Sequence, residues 1–378
     1  MRDMRRPLRL LAFFITSCEY GKYVGGAERR FLEISKRLGK MGVETFALEY
    51  KPSLAVKWDY SGYHSFEINR KFAKHTVLEL IRIILHGVRA CASTKCDIIY
   101  VPNGSVFEYS STTNLISAYI VSLLCRKPLV IVCHNLSPAD YYNRNIINLS
   151  VYEHAKVCIA VSQATARDVE KAFKVRRLVI AGNGVNLDIF RKIGSQKKIY
   201  DAVFFGRMSK EKGVFTLLEA WKTLVTQKPS AKLLLLGGTS ERVKDECTKT
   251  IDEFGLERNV TTSGFVSDQE VIRLLKSSRI FVFPSTAEGF GLVVAEAMAA
   301  GLPCILSNLP ALKENFHSAA VFVEPKDSEG LAKAILALLI DPKKCREIET
   351  KGQKLVKQFS WDTVAERELE VFKSLVKH

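Results

Sequence analysis

In "RIFVFPSTAEGFGLVVAEAMAAGLPCILS", residues 279–307, two apolar runs flank a glycine-rich segment. An apolar run of strand length, Arg279 to Phe283, stops at Pro284, and "GFGLVVAEAMAAG" then reads as a glycine-rich entry into a helix closed by Gly301. A second apolar run, Pro303 to Ser307, follows at once. Strand, returning helix and second strand make one βαβ unit. Runs that are apolar throughout, with no polar residue at every second position, belong to a parallel sheet covered on both faces.

The same pattern fills the chain on either side. In the first half the strand candidates are Leu8 to Thr16, Val43 to Leu48, Asp97 to Val101, Pro128 to Cys133, Val157 to Val161 and Arg177 to Ala181. A second set comprises Asp201 to Phe205, Ala231 to Leu236, Asn259 to Gly264, Arg279 to Phe283, Pro303 to Ser307 and Ala320 to Glu324. Between the sets "FRKIGSQKKIY", residues 190–200, lacks apolar periodicity and reads as a linker. The expectation is an α/β protein of two Rossmann-like domains: 1–190, a linker over 191–200, and 201–358. A C-terminal helix over 359–378, capped by Ser360 or Asp362, would cross back to the first domain.

The bulk composition bounds the function. With 378 residues, 47% hydrophobic and 25% charged, the chain can bury two ordinary cores. A formal charge of +16 calls for an anionic partner: a phosphorylated substrate, an anionic membrane surface or nucleic acid. The lysines are spread along the chain with no helix-turn-helix, RNP or zinc-finger pattern, so nucleic acid is not expected. Of the nine cysteines, Cys125, Cys133, Cys158 and Cys304 lie in apolar runs, which suits reduced thiols in a cytoplasmic protein. Cys91 and Cys96 stand without the further ligands of a zinc site. The start, "MRDMRRPLRLLAFFITSC", has the look of a signal peptide, but Arg9 breaks its apolar run and it reads as a first strand. Leu115 to Cys125 is far short of the ~20 residues that span a bilayer.

Ligands of open parallel sheets bind beyond the carboxyl ends of the strands, so the chemistry is sought in those loops. "GKYVGGAERR" follows the first strand, and Gly25 and Gly26 open a helix whose N–H groups suit a phosphate, although a plain glycine turn reads as well. Neither it nor "GRMSKEKGV", residues 206–214, has the order of a dinucleotide fingerprint or a P-loop. In the latter, Arg207 and Lys212 converge on a helix opening at Gly213, an arrangement suited to a diphosphate; a solvated lysine loop is the alternative. Glu288 and Glu296 lie roughly 10–12 Å apart if the helical rise applies throughout, wider than the ~5–9.5 Å of glycosidase carboxyl pairs. They read as two clamps on one elongated ligand, with the Gly289-Phe290-Gly291 backbone close to it. Asp268 and Glu270 open a predicted helix, and no other acidic pair offers a metal clamp.

These residues resemble the retaining glycosyltransferase family 4, which has the GT-B fold: two Rossmann-like parallel-sheet domains facing a central cleft. The E-x7-E motif, Glu288 to Glu296 in "EGFGLVVAE", carries the resemblance. "GRMSKEKG", "VGGAE", "NGVNLDIF" at Asn183 to Phe190 and "VSQATARDV" at Val161 to Val169 support it. The resemblance implies a nucleotide-sugar donor whose diphosphate meets Arg207, Lys212, Gly25 and Gly26 and whose ribose meets Glu296. It implies that Glu288, Gly289, Phe290, Gly291 and His134 face the transferred sugar, and that Phe265 and Val266 face the base. Glu288, His134, Arg207 and Lys212 would be the catalytic set, with retention at the anomeric carbon and neither metal nor cofactor. A GT-B sugar-nucleotide epimerase and a non-catalytic partner subunit remain as alternatives, and the oligomeric state stays open.

The acceptor would bind within Lys51 to Lys95, where the match to the family is thin. There "RKFAKHTVLELIRIILHGVRA", residues 70–90, sets Lys71, His75, Glu79, Arg82, His86 and Arg89 opposite an apolar face. Such a helix suits packing on the sheet or contact with a membrane surface, and with the basic charge it points to a glycan or lipid-linked acceptor and a peripheral enzyme.

Overall fold

The computed structural model describes residues 6–14, 25–50, 62–68, 77–104, 109–135 and 146–376. The chain divides into two compact units, one of residues up to Asn183 together with the helix from Trp361, the other Gly184–Ser360. The division falls ahead of the 190–200 stretch. Phe190 is buried in the core of the second unit, which fixes the short helix Leu187–Lys192 there.

The first unit holds seven strands: β1 Leu8–Phe13, β2 Val43–Tyr50, β3 Tyr63–Ile68, β4 Ile98–Val101, β5 Leu129–Cys133, β6 Val157–Ala160 and β7 Leu178–Ile180. Their order is β3-β2-β1-β4-β5-β6-β7, all parallel. The middle strands β4, β5 and β6 are buried at every position, as strands covered on both faces must be. The sequence reading passed over β3, "YHSFEI", because an edge strand carries polar residues among its apolar ones. Arg9, which interrupts the first apolar run, is accommodated by the Glu44 carboxylate at 2.7 Å.

The second unit holds β8 Tyr200–Phe205, β9 Leu233–Leu236, β10 Val260–Gly264, β11 Ser278–Phe283, β12 Cys304–Ser307 and β13 Ala320–Val323. They run in the order β10-β9-β8-β11-β12-β13, again all parallel. Two Rossmann-like sheets, each doubly wound, make up the molecule.

The C-terminal helix Trp361–Val376 belongs to the first unit through a buried charge network. Glu368, fully buried, meets Arg30 at 2.5 Å and accepts from the Tyr100 hydroxyl at 2.9 Å. Arg30 also donates to Asn183 Oδ1 at 2.9 Å. Of the two residues expected as caps, Ser360 directly precedes the helix, and Asp362 lies in its first turn, where it pairs with Arg37 at 2.8 Å. In the second unit the helix Asp268–Lys276 is capped by Ser267, so Asp268 is a first-turn residue and Glu270 pairs with Arg273.

The helix expected over 70–90 is described as Val77–Thr94; Lys71, Lys74 and His75 lie outside the described residues. Its faces are turned from those expected. Glu79 is buried and pairs with Arg82 at 3.4 Å, whereas Ile81 and Leu85 are exposed. A carboxylate goes inside when an arginine one turn away neutralises it.

Candidate functional site

In the second unit the chain winds outward from β8 through β9 to β10, then returns beside β8 as β11 and winds the other way. The loops after β8 and β11 therefore part at the one place where the winding reverses, the position at which such sheets bind ligands. Arg207 and Lys212 lie in the first loop and Glu288 in the second.

The two loops are tied side by side. The Glu211 carbonyl accepts from Thr286 N at 2.8 Å, Thr286 Oγ1 at 3.0 Å and Ser285 Oγ at 3.2 Å. Beside this seam Lys212 Nζ donates to Glu288 Oε1 at 2.7 Å and to the Ala287 carbonyl at 3.1 Å. Both side chains are largely buried, at 17% and 14% exposure, so the charge pair is poorly screened. Arg207, just past β8, is exposed.

Each loop ends in a left-handed glycine that starts a helix. Gly213, at φ 76°, precedes Val214–Gln227, and a Cβ there would come within 1.9 Å of the Pro284 carbonyl oxygen, in the other loop. Gly291, at φ 94°, precedes Leu292–Ala299, and its missing Cβ leaves room for Leu312 and Phe316. Two helix N-termini, with N–H groups unpaired by the helix itself, thus open beside the Lys212 and Glu288 pair.

The expected sugar-facing segment is divided in its roles. Phe290 is a core residue, edge-on to Phe316 and Phe359, and its carbonyl accepts from Asn315 Nδ2 at 3.0 Å. Its side chain and its carbonyl are therefore committed to the protein. Glu288 lies outside the helix, which starts only at Leu292, so the assumed helical rise does not run from Glu288 to Glu296. Glu296 is half-buried about one turn, ~6 Å, into that helix. On the far side of the switch point Phe265, after β10, is 43% exposed, with its ring over the bare Cα of Gly238; Val266 is half-buried against the core. Sequence reasoning missed Gly238 and Asn315. The first had a signal in the Gly237-Gly238 pair after β9; the second had none.

In the first unit, Gly25 caps the helix Gly26–Lys40, and the Glu28 side chain folds back over Gly25. His134 follows β5, half-buried, with Nε2–H donating to the Pro102 carbonyl at 2.9 Å. Burial, with the nearby Arg30 charge, pushes its pKa down to about 3. The ring is therefore neutral at physiological pH, and with the proton on Nε2 its Nδ1 carries a lone pair. Among the described residues no group of three His, Cys, Asp or Glu side chains gathers as metal ligands would.

Comparison with known proteins covers nearly the whole chain. Residues 24–189 match the family Glycosyltransferase Family 4, and residues 185–355 match Glycosyl transferases group 1. An uncharacterized glycosyltransferase of Methanocaldococcus jannaschii is 29% identical over 243 residues, 60% of this chain and 61% of that protein. The GDP-mannose:cellobiosyl-diphosphopolyprenol alpha-mannosyltransferase of Xanthomonas campestris is 30% identical over 192 residues, 49% of this chain and 50% of its own. The match thus spans between half and three-fifths of these relatives. Anabaena HepE, crystallised with UDP and glucose, superposes with a TM-score of 0.79 at 20% identity, covering 97% of this chain and 100% of its own. At that identity the likeness is one of fold.

Proposed function

Because this chain belongs to the group 1, family 4 glycosyltransferases of GT-B fold, we propose that it moves a sugar from a nucleoside-diphosphate sugar to an acceptor hydroxyl. The proposal includes retention at the anomeric carbon, independence from a metal ion and a glycan or lipid-linked acceptor. The Xanthomonas relative, whose name specifies a diphosphopolyprenol-linked acceptor, supports the last of these.

The observation that carries the reading is the Lys212 and Glu288 pair at the switch point of the second sheet. When the glycosidic bond to the donor breaks, negative charge gathers on the departing diphosphate, and fixed positive groups stabilise it more in the transition state than in the ground state. Lys212 supplies one such group, Arg207 a second, and the helix N-termini after Gly213 and Gly291 supply oriented N–H dipoles. Glu288 receives Lys212 on Oε1, which leaves Oε2 to accept from hydroxyls of the transferred sugar. Glu296 would accept from the ribose, and Phe265 and Val266 would take the base; within the first unit, Gly25, Gly26 and neutral His134 offer groups suited to a donor's phosphate and sugar.

The test is turnover of UDP-, GDP- and ADP-sugars by wild type and Lys212→Ala. Loss of one preorganised donor costs ~3 kcal/mol, on the order of 10² to 10³ in kcat. Near-normal turnover by Lys212→Ala would remove the leaving-group role. Activity unchanged after EDTA treatment is the expected outcome for the metal; its abolition and recovery with a divalent cation would contradict that part.

A further inference from the structure

Three free thiols meet where two helices of the first unit end. The helix Val77–Thr94 closes on a left-handed Lys95, at φ 51°, with Cys96 N–H donating to the Cys91 carbonyl at 3.3 Å and Lys95 N–H to the Ala92 carbonyl at 3.4 Å. These are the two backbone bonds of a Schellman ending, in which the residue after the left-handed one folds back against the last turn. Apolar side chains ordinarily make that contact. Here both are cysteines, and Cys96 Sγ donates to Cys91 Sγ at 3.2 Å. The neighbouring helix Tyr109–Cys125 ends in the same way, on a left-handed Arg126 at φ 52°, with Lys127 N–H donating to the Ser122 carbonyl at 3.0 Å. Its last residue brings a third thiol within hydrogen-bonding reach of Cys91.

Cys91 thus stands between two other sulfurs. It is 4% exposed and Cys96 0%, whereas Cys125 is only half-buried, so Cys125 is the member that a small oxidant meets. Burial and the bond to Cys91 push the Cys125 thiol up to about 12 against the pull of Lys127, and the bond to Cys96, with burial, pushes Cys91 up as well. Both rest as thiols, which makes the trio slow to react. The three are not gathered as metal ligands would be. Their helices lead into β4 and β5, so the trio lies at the amino edge of the sheet, opposite the edge at which His134 follows β5.

We propose that Cys91 and Cys96 are a modification site, closed to a disulfide by a hydroperoxide that enters at Cys125. The Cys125 sulfur, on losing its proton, attacks a peroxide oxygen: an S–O bond forms, the O–O bond breaks, and the other oxygen leaves with that proton as an alcohol, or as water from hydrogen peroxide. Cys125 is left as a sulfenic acid. The Cys91 sulfur displaces its hydroxyl, which departs with the Cys91 proton as water, and a Cys91–Cys125 disulfide remains. The Cys96 sulfur then attacks Cys91, and Cys125 leaves as a thiol carrying the Cys96 proton. In sum, two thiols are oxidised and one peroxide is reduced. Only the middle position of Cys91, in contact with both partners, allows the hand-over inward to the fully buried pair.

The experiment exposes the folded full chain to hydrogen peroxide, quenches in acid, alkylates the remaining thiols in denaturant and maps tryptic peptides by mass spectrometry. Cleavage after Arg89, Lys95 and Arg126 separates Cys91 from Cys96 and Cys125. Peptide 90–95 is expected joined to Cys96 of peptide 96–126, with Cys125 alkylated. Cys133 and Cys158, which bond to each other inside the sheet and are both buried, should stay reduced. Cys125→Ser should slow the closure on the order of tenfold, and in Cys91→Ala dimedone should trap a sulfenic acid at Cys125. Should Cys91→Ala not fold, the wild-type map and the rate in Cys125→Ser decide. Alkylation of both Cys91 and Cys96 after prolonged exposure overturns the proposal, and so does a disulfide that stops at Cys91–Cys125. Closure by Cys125→Ser as fast as in wild type overturns it too, by removing the entry point.

Discussion

Lys212 has three N–H donors; Glu288 and the Ala287 carbonyl take two of them, and a second carboxylate, Glu211 Oε1, stands 3.4 Å from Nζ. A diphosphate approaching Lys212 therefore competes with a carboxylate that is already in place. Glu288→Gln removes the nearer of the two carboxylates, leaving Glu211 at 3.4 Å, while keeping an acceptor for sugar hydroxyls. It is predicted to tighten binding of the free nucleoside diphosphate several-fold and to lower kcat, measured by calorimetry and initial rates; weaker binding of the diphosphate would contradict the competition. His134 gives a second prediction. Its folded pKa lies below the ordinary ~6.5 of the unfolded chain. The unfolded state thus binds more protons below about pH 6.5, and stability falls with pH through that window by up to ~1.4 kcal/mol per pH unit. His134→Gln should flatten this slope in melts between about pH 7 and about pH 4, and an unchanged slope would place the proton elsewhere. Lys212 and Glu288 could be picked out of the sequence by type and spacing, His134 only through the family resemblance. That Lys212 and Glu288 touch could not, since they lie 76 residues apart and only the reversal of winding brings their loops together.

At the scale of elements, most strands were legible because a strand buried on both faces must be apolar throughout. Where burial is one-sided that signal fades, and the reading lost β3 and turned the helix Val77–Thr94 the wrong way round. The helix Trp361–Val376 was legible as a helix, but its anchor was not. Glu368 lies among apolar residues of that helix, is neutralised by Arg30 and accepts a hydrogen bond from Tyr100, both far away in sequence. Arg30→Met strands the buried carboxylate and is predicted to destabilise the protein by ~3–5 kcal/mol. Adding Glu368→Leu should recover much of that loss, because two apolar side chains need no partners. Denaturation followed by circular dichroism measures both, and a double variant less stable than the single one would show that the pair is not what holds the helix.

For the molecule as a whole, two doubly wound sheets and the positions of Gly213, Gly291 and Glu288 follow from repeated local patterns, and those patterns are what one sequence displays well. On the proposed function, base, sugar and acceptor would depend on a few contacts at loop ends, and an arrangement such as the ring of Phe265 over Gly238 is one that no periodicity announces. The +16 charge is an attribute of the entire chain and fits both an anionic donor and an anionic surface. The central claim is that the pair at the switch point of the second sheet serves departure of a nucleoside diphosphate from a sugar. Its most direct measurement is proton NMR of the purified protein with UDP-, GDP- and ADP-sugars in turn, in the presence of a polyprenyl-diphosphate glycan. Release of one nucleoside diphosphate is expected, with a product that keeps the donor's anomeric configuration, and near-silence in Lys212→Ala. Consumption of none of the donors, or equal consumption by wild type and variant, would contradict it.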